Sequence, residues 1–215
     1  MKAKIGNIFM AVGMVFLLGA LSLFVYNQRE ATAAEQSAQE LLPQLIQKMQ
    51  EDSITAEPEQ EYEVPPGFED LDLPPVLPET ESEIMSELEI EDHSYIGYLS
   101  IPKLGLDLPI MSNWDYDSLK IAPCRYYGSV TGEDLVLMAH NYKRHFGRLS
   151  DLTEGDSVLF VDIKGNVTAY EVIAKDVLAA TAIEEMTSGA YDLTLFTCTY
   201  SGQERITVFC DKIKR

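Results

Sequence analysis

An uncharged apolar run near the N-terminus places the strongest constraint on how this chain can fold. Residues 5–26 form 22 consecutive positions without a charged side chain. A helix that crosses the hydrocarbon core of a bilayer needs about 20 such residues. Lys2 and Lys4 precede the run, so the positive-inside rule puts the N-terminus in the cytoplasm and everything after Tyr26 outside. We therefore expect residues 1–30 to be a cytoplasmic N-terminus and signal anchor of a single-pass cell-membrane protein.

A cleaved signal peptide is the alternative interpretation of this region. Ala31-Thr32-Ala33 matches the small-residue pattern that precedes a cleavage site. The apolar run is longer than the core of a usual signal peptide, and the charged residues Arg29 and Glu30 separate it from that pattern. Both features favour the anchor.

Residues 31–92 are interpreted as a helix followed by a spacer. Leu41, Leu45 and Met49 recur at helical spacing and predict a helix over residues 31–52, which Pro43 could start or kink. Its apolar face could pack on the membrane, on the later domain or on a partner. Residues 53–92 are rich in proline and acidic side chains, and such a segment cannot bury enough apolar surface to fold alone. Like charges extend it into a stalk or a solvated linker.

Residues 93–215 have the pattern of an all-β domain. Short runs rich in β-forming residues alternate with turn residues, and the turn at Lys164-Gly165-Asn166 joins two of them. The pattern predicts strands at 95–101, 106–110, 135–140, 157–162, 167–178, 193–198 and 205–211, with short helices at 115–120 and 182–186. Many short strands with little helix indicate a closed or nearly closed barrel.

Charge and cysteine content exclude several classes of protein. The formal net charge is -19, and residues 30–92 carry most of it, with Lys48 as their one basic residue. No basic footprint for nucleic acid exists. The three cysteines, Cys124, Cys198 and Cys210, are too few for a disulfide scaffold, and their spacing predicts no zinc or other metal site.

Three residues in the β-rich part are candidates for nucleophilic chemistry. Cys198 ends a buried strand, and Arg205 opens the next strand after a short loop. His140 ends another apolar strand. Singly, each fits a structural role: a core thiol, a hydrogen-bonded histidine and a surface arginine. Together they provide a nucleophile, a proton carrier and a donor for a developing oxyanion.

These residues lie in segments that resemble the sortase family over most of residues 93–215. The stretch 96–110, I-G-Y-L-S-I-P-K-L-G-L-D-L-P-I, is similar to the first two strands of the family. Met138-Ala139-His140-Asn141 matches the segment that holds the family's histidine. Residues 194–198 fit the T-L-x-T-C motif that ends in the nucleophile, and Glu204-Arg205-Ile206-Thr207-Val208 matches the segment with the family's arginine.

The resemblance implies an eight-stranded sortase-type barrel at residues 93–215 and a cysteine transpeptidase, of the hydrolase class, facing the outside of the cell. Cys198 would attack a sorting peptide similar to L-P-x-T-G, forming a thioacyl enzyme. His140 would carry the proton to the leaving amine, and Arg205 would stabilise the oxyanion. Thr197 is a candidate for substrate contact, or alternatively a strand threonine bonded to a neighbour. The implied partners are the sorting signals of surface proteins and an amine acceptor on peptidoglycan or a pilin, and no cofactor is required.

Several alternatives stay open at this point. The class is open between class B-like and a related clostridial type, although residues 178–193 leave no room for the long helix of class B and no Asp-Pro-aromatic lid precedes the domain. The chain could be a peptidase that only hydrolyses the intermediate, or a non-catalytic membrane-tethered binding module. Cys124 and Cys210 could pair, but their distant positions favour two separate buried thiols.

Overall fold

The computed structural model describes residues 2–55 and 85–213, and within the N-terminal helix it describes the side chains of residues 10–51. The central part of the predicted spacer, residues 56–84, lies outside the described residues. The described residues form one long helix and a β-barrel with two short helices and two turns of 3-10 helix.

Helix α1 runs without a break over Lys2–Thr55. It unites the predicted membrane segment and the predicted helix over residues 31–52, and Pro43 lies inside it without ending it. Among the described helices, α1 has the length and apolar composition to cross a membrane. The large apolar side chains from Met10 to Tyr26 are exposed, as expected for a segment whose partner is lipid.

The second half of α1 packs against the barrel, which decides among the three partners considered for its apolar face. Leu41, Leu45 and Met49 are buried in one cluster with residues of the β-domain, among them Tyr95 and Met111. Leu45 is completely buried. The positions recur every four residues, so they form one stripe along the helix.

Within the described residues, nine strands form one sheet. Their bounds are β1 Leu88–Ile90, β2 His93–Ile101, β3 Leu106–Met111, β4 Cys124–Tyr127, β5 Leu135–Met138, β6 Ser157–Asp162, β7 Val167–Ala179, β8 Leu193–Cys198 and β9 Glu204–Lys212. Helices α2, Ser118–Ile121, and α3, Ile183–Thr187, lie near their predicted positions.

The sheet closes on itself into a barrel of eight strands. The strand order is β1-β2-β3-β4-β5-β8-β9-β7-β6, and β2 also pairs with β6. This second pairing joins the two ends of the series β2 to β6, while β1 remains an additional strand on β2. The predicted all-β, eight-stranded sortase-type barrel is confirmed.

Two short strands were not predicted from the sequence. β4 has four residues and β1 has three, too few to show the alternation that identifies a strand. β1 also lies within residues 31–92, so the sheet begins inside the segment that was interpreted as spacer. The predicted strand at 135–140 ends at Met138 instead, because the backbone of His140 leaves the ladder to bond Phe146.

Candidate active site

Cys198 stands at the end of β8 on the outer face of the barrel. Side chains along a strand alternate between the two faces. Leu193 and Leu195 therefore point into the barrel core, while Phe196 and Cys198 share the outer face. The first five residues of β8 are buried and Cys198 is half-buried, so the strand delivers its last side chain to the surface.

An apolar cluster with three aromatic rings adjoins Cys198 on this face. Phe196 packs with Val136 and Met186, and its ring meets that of Tyr126 edge-on at 5.3 Å between centroids. Trp114 lies 5.8 Å from Tyr126 by the same measure. Sequence reasoning did not include these rings in the site. Trp114 and Tyr126 come from a loop and a short strand that only the tertiary fold brings to β8.

Arg205 lies directly across from Cys198. The antiparallel register of β8 and β9 pairs these two residues, so their side chains are neighbours on one face. The Nη1 atom of Arg205 donates hydrogen bonds to the carbonyl oxygens of Gly202 and Glu204, each at 3.0 Å. These bonds hold one end of the guanidinium on the β8–β9 loop and leave its other N–H groups available.

His140 reaches the same end of the barrel from the neighbouring strand. β5 and β8 run parallel, and Met138 is the register partner of Phe196. The amide of Ala139 donates to the carbonyl of Phe196 at 3.3 Å, which extends this pairing by one residue. His140 therefore follows β5 where Cys198 ends β8, about one strand spacing away. The imidazole lies next to the ring of Tyr142, with 4.9 Å between the ring centroids.

Burial sets the protonation of His140. The loss of water lowers the pKa of its imidazole below the ordinary value, Glu30 on α1 opposes this change, and Lys120 adds to it. The net direction is downward. The imidazole is therefore largely neutral at neutral pH and can accept a proton.

Thr197 is buried between β8 and the histidine segment. Its hydroxyl donates a hydrogen bond of 2.8 Å to the carbonyl oxygen of Ala139, the residue before His140. This is the geometry of the alternative interpretation, a strand threonine bonded to a neighbour. The side chain links the residue before Cys198 to the residue before His140.

The other two cysteines lie in the interior, and all three are free thiols. Cys124 belongs to the cluster under α1 and Cys210 to the barrel core. Burial raises the pKa of Cys124 to about 12 and also raises the pKa of Cys210. The interpretation as two separate buried thiols is confirmed, and Cys198 is left as the accessible thiol.

His145 occupies a place that the sequence did not indicate. It follows four polar residues, 141–144, yet it is fully buried. Its ring lies 5.6 Å from that of Tyr142 by centroid, and the Ala34 backbone of α1 faces it without either ring nitrogen reaching hydrogen-bond geometry. Burial lowers the pKa of His145 to about 4. Within the described residues, no group of three or more His, Cys, Asp or Glu side chains could hold a metal ion.

A family model assigns the chain to a family. The model of the sortase domain matches residues 99–213, which is more than half of the chain and contains Cys198, His140 and Arg205. The chain belongs to the sortase family.

Solved structures of other sortases share the barrel. Sortase A from Corynebacterium diphtheriae is 24% identical, with a TM-score of 0.53 over 57% of this chain and 62% of that one. Sortase C1 from Streptococcus agalactiae is 23% identical, with a TM-score of 0.53 over 61% and 74%. A sortase D5 transpeptidase from Clostridium perfringens is 20% identical, with a TM-score of 0.50 over 56% and 79%. The similarity shows the fold and spans three different classes, and no curated protein matches the chain.

Proposed function

We propose that this sortase is a membrane-anchored transpeptidase that cleaves an L-P-x-T-G-like sorting motif and joins the released acyl group to an amine of the cell wall or of a pilin subunit. The observation that carries the proposal is the convergence of three residues at one barrel end. Cys198 and Arg205 are cross-strand partners, and His140 follows the strand beside them.

The proposed reaction proceeds in two acyl transfers. The thiol proton of Cys198 passes to His140 as the sulfur attacks the carbonyl carbon at the scissile bond, and the oxyanion that forms accepts hydrogen bonds from the N–H groups of Arg205. The C–N bond then breaks, and His140 gives a proton to the leaving amine. In the second step an incoming amine attacks the thioester and His140 takes up its proton. The C–S bond then breaks, and His140 returns this proton to the sulfur, which regenerates the thiol of Cys198.

The surroundings of these residues support the assigned roles. A neutral His140 at rest can accept a proton, in line with its lowered pKa. Arg205 is already held by two carbonyl oxygens, which reduces the entropy lost when it binds an oxyanion. The half-buried ring of Tyr126 and the exposed ring of Trp114, next to the buried Phe196, offer a place for the hydrophobic part of a sorting peptide.

Product analysis tests the proposal against the two alternatives. The purified chain is incubated with a panel of L-P-x-T-G-like peptides, with and without an added amine, and the products are identified by mass spectrometry. We expect a thioacyl adduct on Cys198 and an amide product in the presence of the amine. Release of the free acid alone at saturating amine would indicate a hydrolase. No adduct and no cleavage across the panel would favour a binding module.

Cys198→Ala is expected to abolish cleavage while the fold persists. The change removes the nucleophile from a half-buried surface position and leaves no large cavity. A matched control is Cys210→Ala, which removes a buried thiol from the core and should retain activity in the protein that folds. If Cys198→Ala keeps a tenth or more of the wild-type rate, which is about 1.4 kcal/mol of barrier, the assignment of the nucleophile is wrong.

A further inference from the structure

The membrane-facing part of α1 passes directly into the part that packs on the barrel. Tyr26 ends the apolar run, and the first half-buried residue of the helix after it is Glu30. Ala34 is the first fully buried one, followed along the same stripe by Ala38. With a rise of 1.5 Å per residue, Glu30 lies about 6 Å and Ala34 about 12 Å beyond Tyr26 along the helix axis.

This segment of α1 contacts the loop that carries His140. The Nε atom of Arg144 donates to the carboxylate of Glu35 at 2.6 Å, an ion pair between helix and loop. His145 is buried against the backbone of Ala34. Phe146 shares the barrel core cluster with Ala38. Three consecutive loop residues thus face the helix between about two and three and a half turns beyond Tyr26.

The contacts continue to the reactive end of the barrel. The Tyr26 hydroxyl donates to Glu30 at 2.8 Å, and Glu30 is near enough to His140 to act on the charge of its imidazole. His140 in turn lies about one strand spacing from Cys198 through the pairing of β5 and β8. The site therefore lies at the end of the barrel that is nearest to the apolar segment of α1.

We propose that α1 fixes the height of the active site, holding Cys198 and His140 at the level of the phospholipid headgroups. The headgroup layer extends about 5–8 Å beyond the hydrocarbon core, so the first docked residue, Glu30, lies near its outer edge. Exposed Lys143, on the docked loop, and Arg29, on the helix, provide positive charge for anionic headgroups there. The acidic spacer follows the docked segment in the chain and does not separate it from the membrane.

One consequence concerns substrate and rests on the proposed function. The scissile peptide bond must be presented at the bilayer surface, because the active site is not free to sample greater heights on a long stalk. A sorting peptide on a chain held in the same membrane meets this requirement.

The chain contains a convenient site for a depth probe. Cys198 is the accessible thiol, while Cys124 and Cys210 are completely buried. The full-length protein is labelled at Cys198 with the fluorophore NBD and reconstituted in phosphatidylcholine vesicles with a fifth of phosphatidylglycerol. Quenching is compared between a nitroxide on the lipid headgroup and a nitroxide deep in the acyl chain. We expect headgroup quenching to exceed deep quenching at least twofold.

Insertion variants decide whether α1 sets this height. Seven helix-forming residues inserted between Gln28 and Arg29 add about 10 Å and nearly two complete turns, so the docked face keeps its direction. Headgroup quenching should fall at least twofold. The same seven residues inserted after Asp70, in the spacer, should leave quenching unchanged. Equal labelling at one thiol per chain verifies that each variant is folded.

Two results would overturn the proposal. Headgroup quenching that is absent in the wild type, or unchanged by the insertion in α1, would show that the helix does not hold the site at the surface. A loss of quenching with the spacer insertion would show that the spacer sets the height. Neither readout requires turnover, so a failure here and a failure of the peptide assay are separate results.

Discussion

The hydrogen bonds of Arg205 allow the geometric role of its guanidinium to be tested apart from its positive charge. Its Nη1 atom donates to two carbonyl oxygens, and the residue is the cross-strand partner of Cys198. A lysine has one ammonium group and cannot hold both carbonyls while reaching an oxyanion.

We predict that Arg205→Lys lowers kcat/KM by about a hundredfold, the usual effect of losing an oxyanion donor. Steady-state cleavage of a sorting peptide measures this effect. Arg148→Lys is the matched control, because the guanidinium of Arg148 likewise donates to two protein oxygens, on Asp151 and Leu104, but lies outside the proposed site. An Arg205→Lys enzyme within threefold of wild type would assign the oxyanion to other donors, such as backbone amides.

Thr197 permits a test between substrate contact and positioning. Its buried hydroxyl is bonded to Ala139, so removing it should disturb the placement of His140 and leave substrate affinity intact. We predict that Thr197→Val lowers kcat about tenfold with little change in KM, and shifts the pH limb that reports the histidine. The lost bond corresponds to about 1 kcal/mol. Thr197→Ser, which keeps the hydroxyl, should retain most activity. A rise in KM with unchanged kcat would support substrate contact instead.

At the scale of elements, the closure of the barrel depends on β2, which pairs with β3 along its length and with both β1 and β6 on its other side. On this other side of β2, the partner strand changes from β1 to β6 at Gly97. An irregularity in the β2–β3 register lies next to the same residue. Its φ of 142° disfavours any side chain, and a Cβ atom there would clash with the carbonyl oxygen of Val161 on β6.

We therefore predict that Gly97→Ala destabilises the domain by more than about 3 kcal/mol, because backbone strain and a steric clash add. Gly105→Ala is the control: its φ of 62° is also positive, but no atom lies within 4 Å of the added carbon. The free energy of unfolding of that variant should fall by about 1 kcal/mol, from backbone strain alone. Denaturant unfolding of the two full-length variants gives the comparison, and equal losses would mean that the β2–β6 contact does not limit stability.

At the scale of the whole molecule, α1 and the barrel are joined by an interface that contains an unprotonated histidine. His145 is fully buried at this interface, with its pKa lowered to about 4 by loss of water. Unfolding exposes the ring and returns its pKa to about 6.5. Between these two pH values the ring is protonated in the unfolded chain and neutral in the folded one. The contribution of the neutral ring to stability is therefore complete above about pH 6.5 and is lost as the pH falls toward 4.

We predict that His145 accounts for a loss of about 2.5 kcal/mol between pH 7.5 and 4.5. His145→Gln keeps a polar side chain but cannot titrate, so its free energy of unfolding should change less with pH by that amount. Denaturant titrations of both proteins at the two pH values measure the difference. Parallel pH profiles would show that the ring remains hydrated or finds a partner in solution.

The sequence alone determined the features that depend on local pattern. A run of uncharged apolar residues indicates a membrane helix because the bilayer requires length and apolarity and nothing else. Alternation in the longer strands identified seven of the barrel strands, and the T-L-x-T-C pattern directed attention to Cys198 together with His140 and Arg205. Their catalytic roles stay predictions, although the fold brings all three to one barrel end.

Only the tertiary structure decided the features that depend on partners distant in sequence. Strands β1 and β4 are too short to carry a pattern and are defined by what they pair with. The apolar stripe of α1 is equally suited to lipid, a partner or the barrel, and packing with Tyr95 and Met111 selects the barrel. The burial of His145 and the hydrogen bond of Thr197 follow from the same long-range contacts, since periodicity reports which face of a segment is apolar but not what covers it.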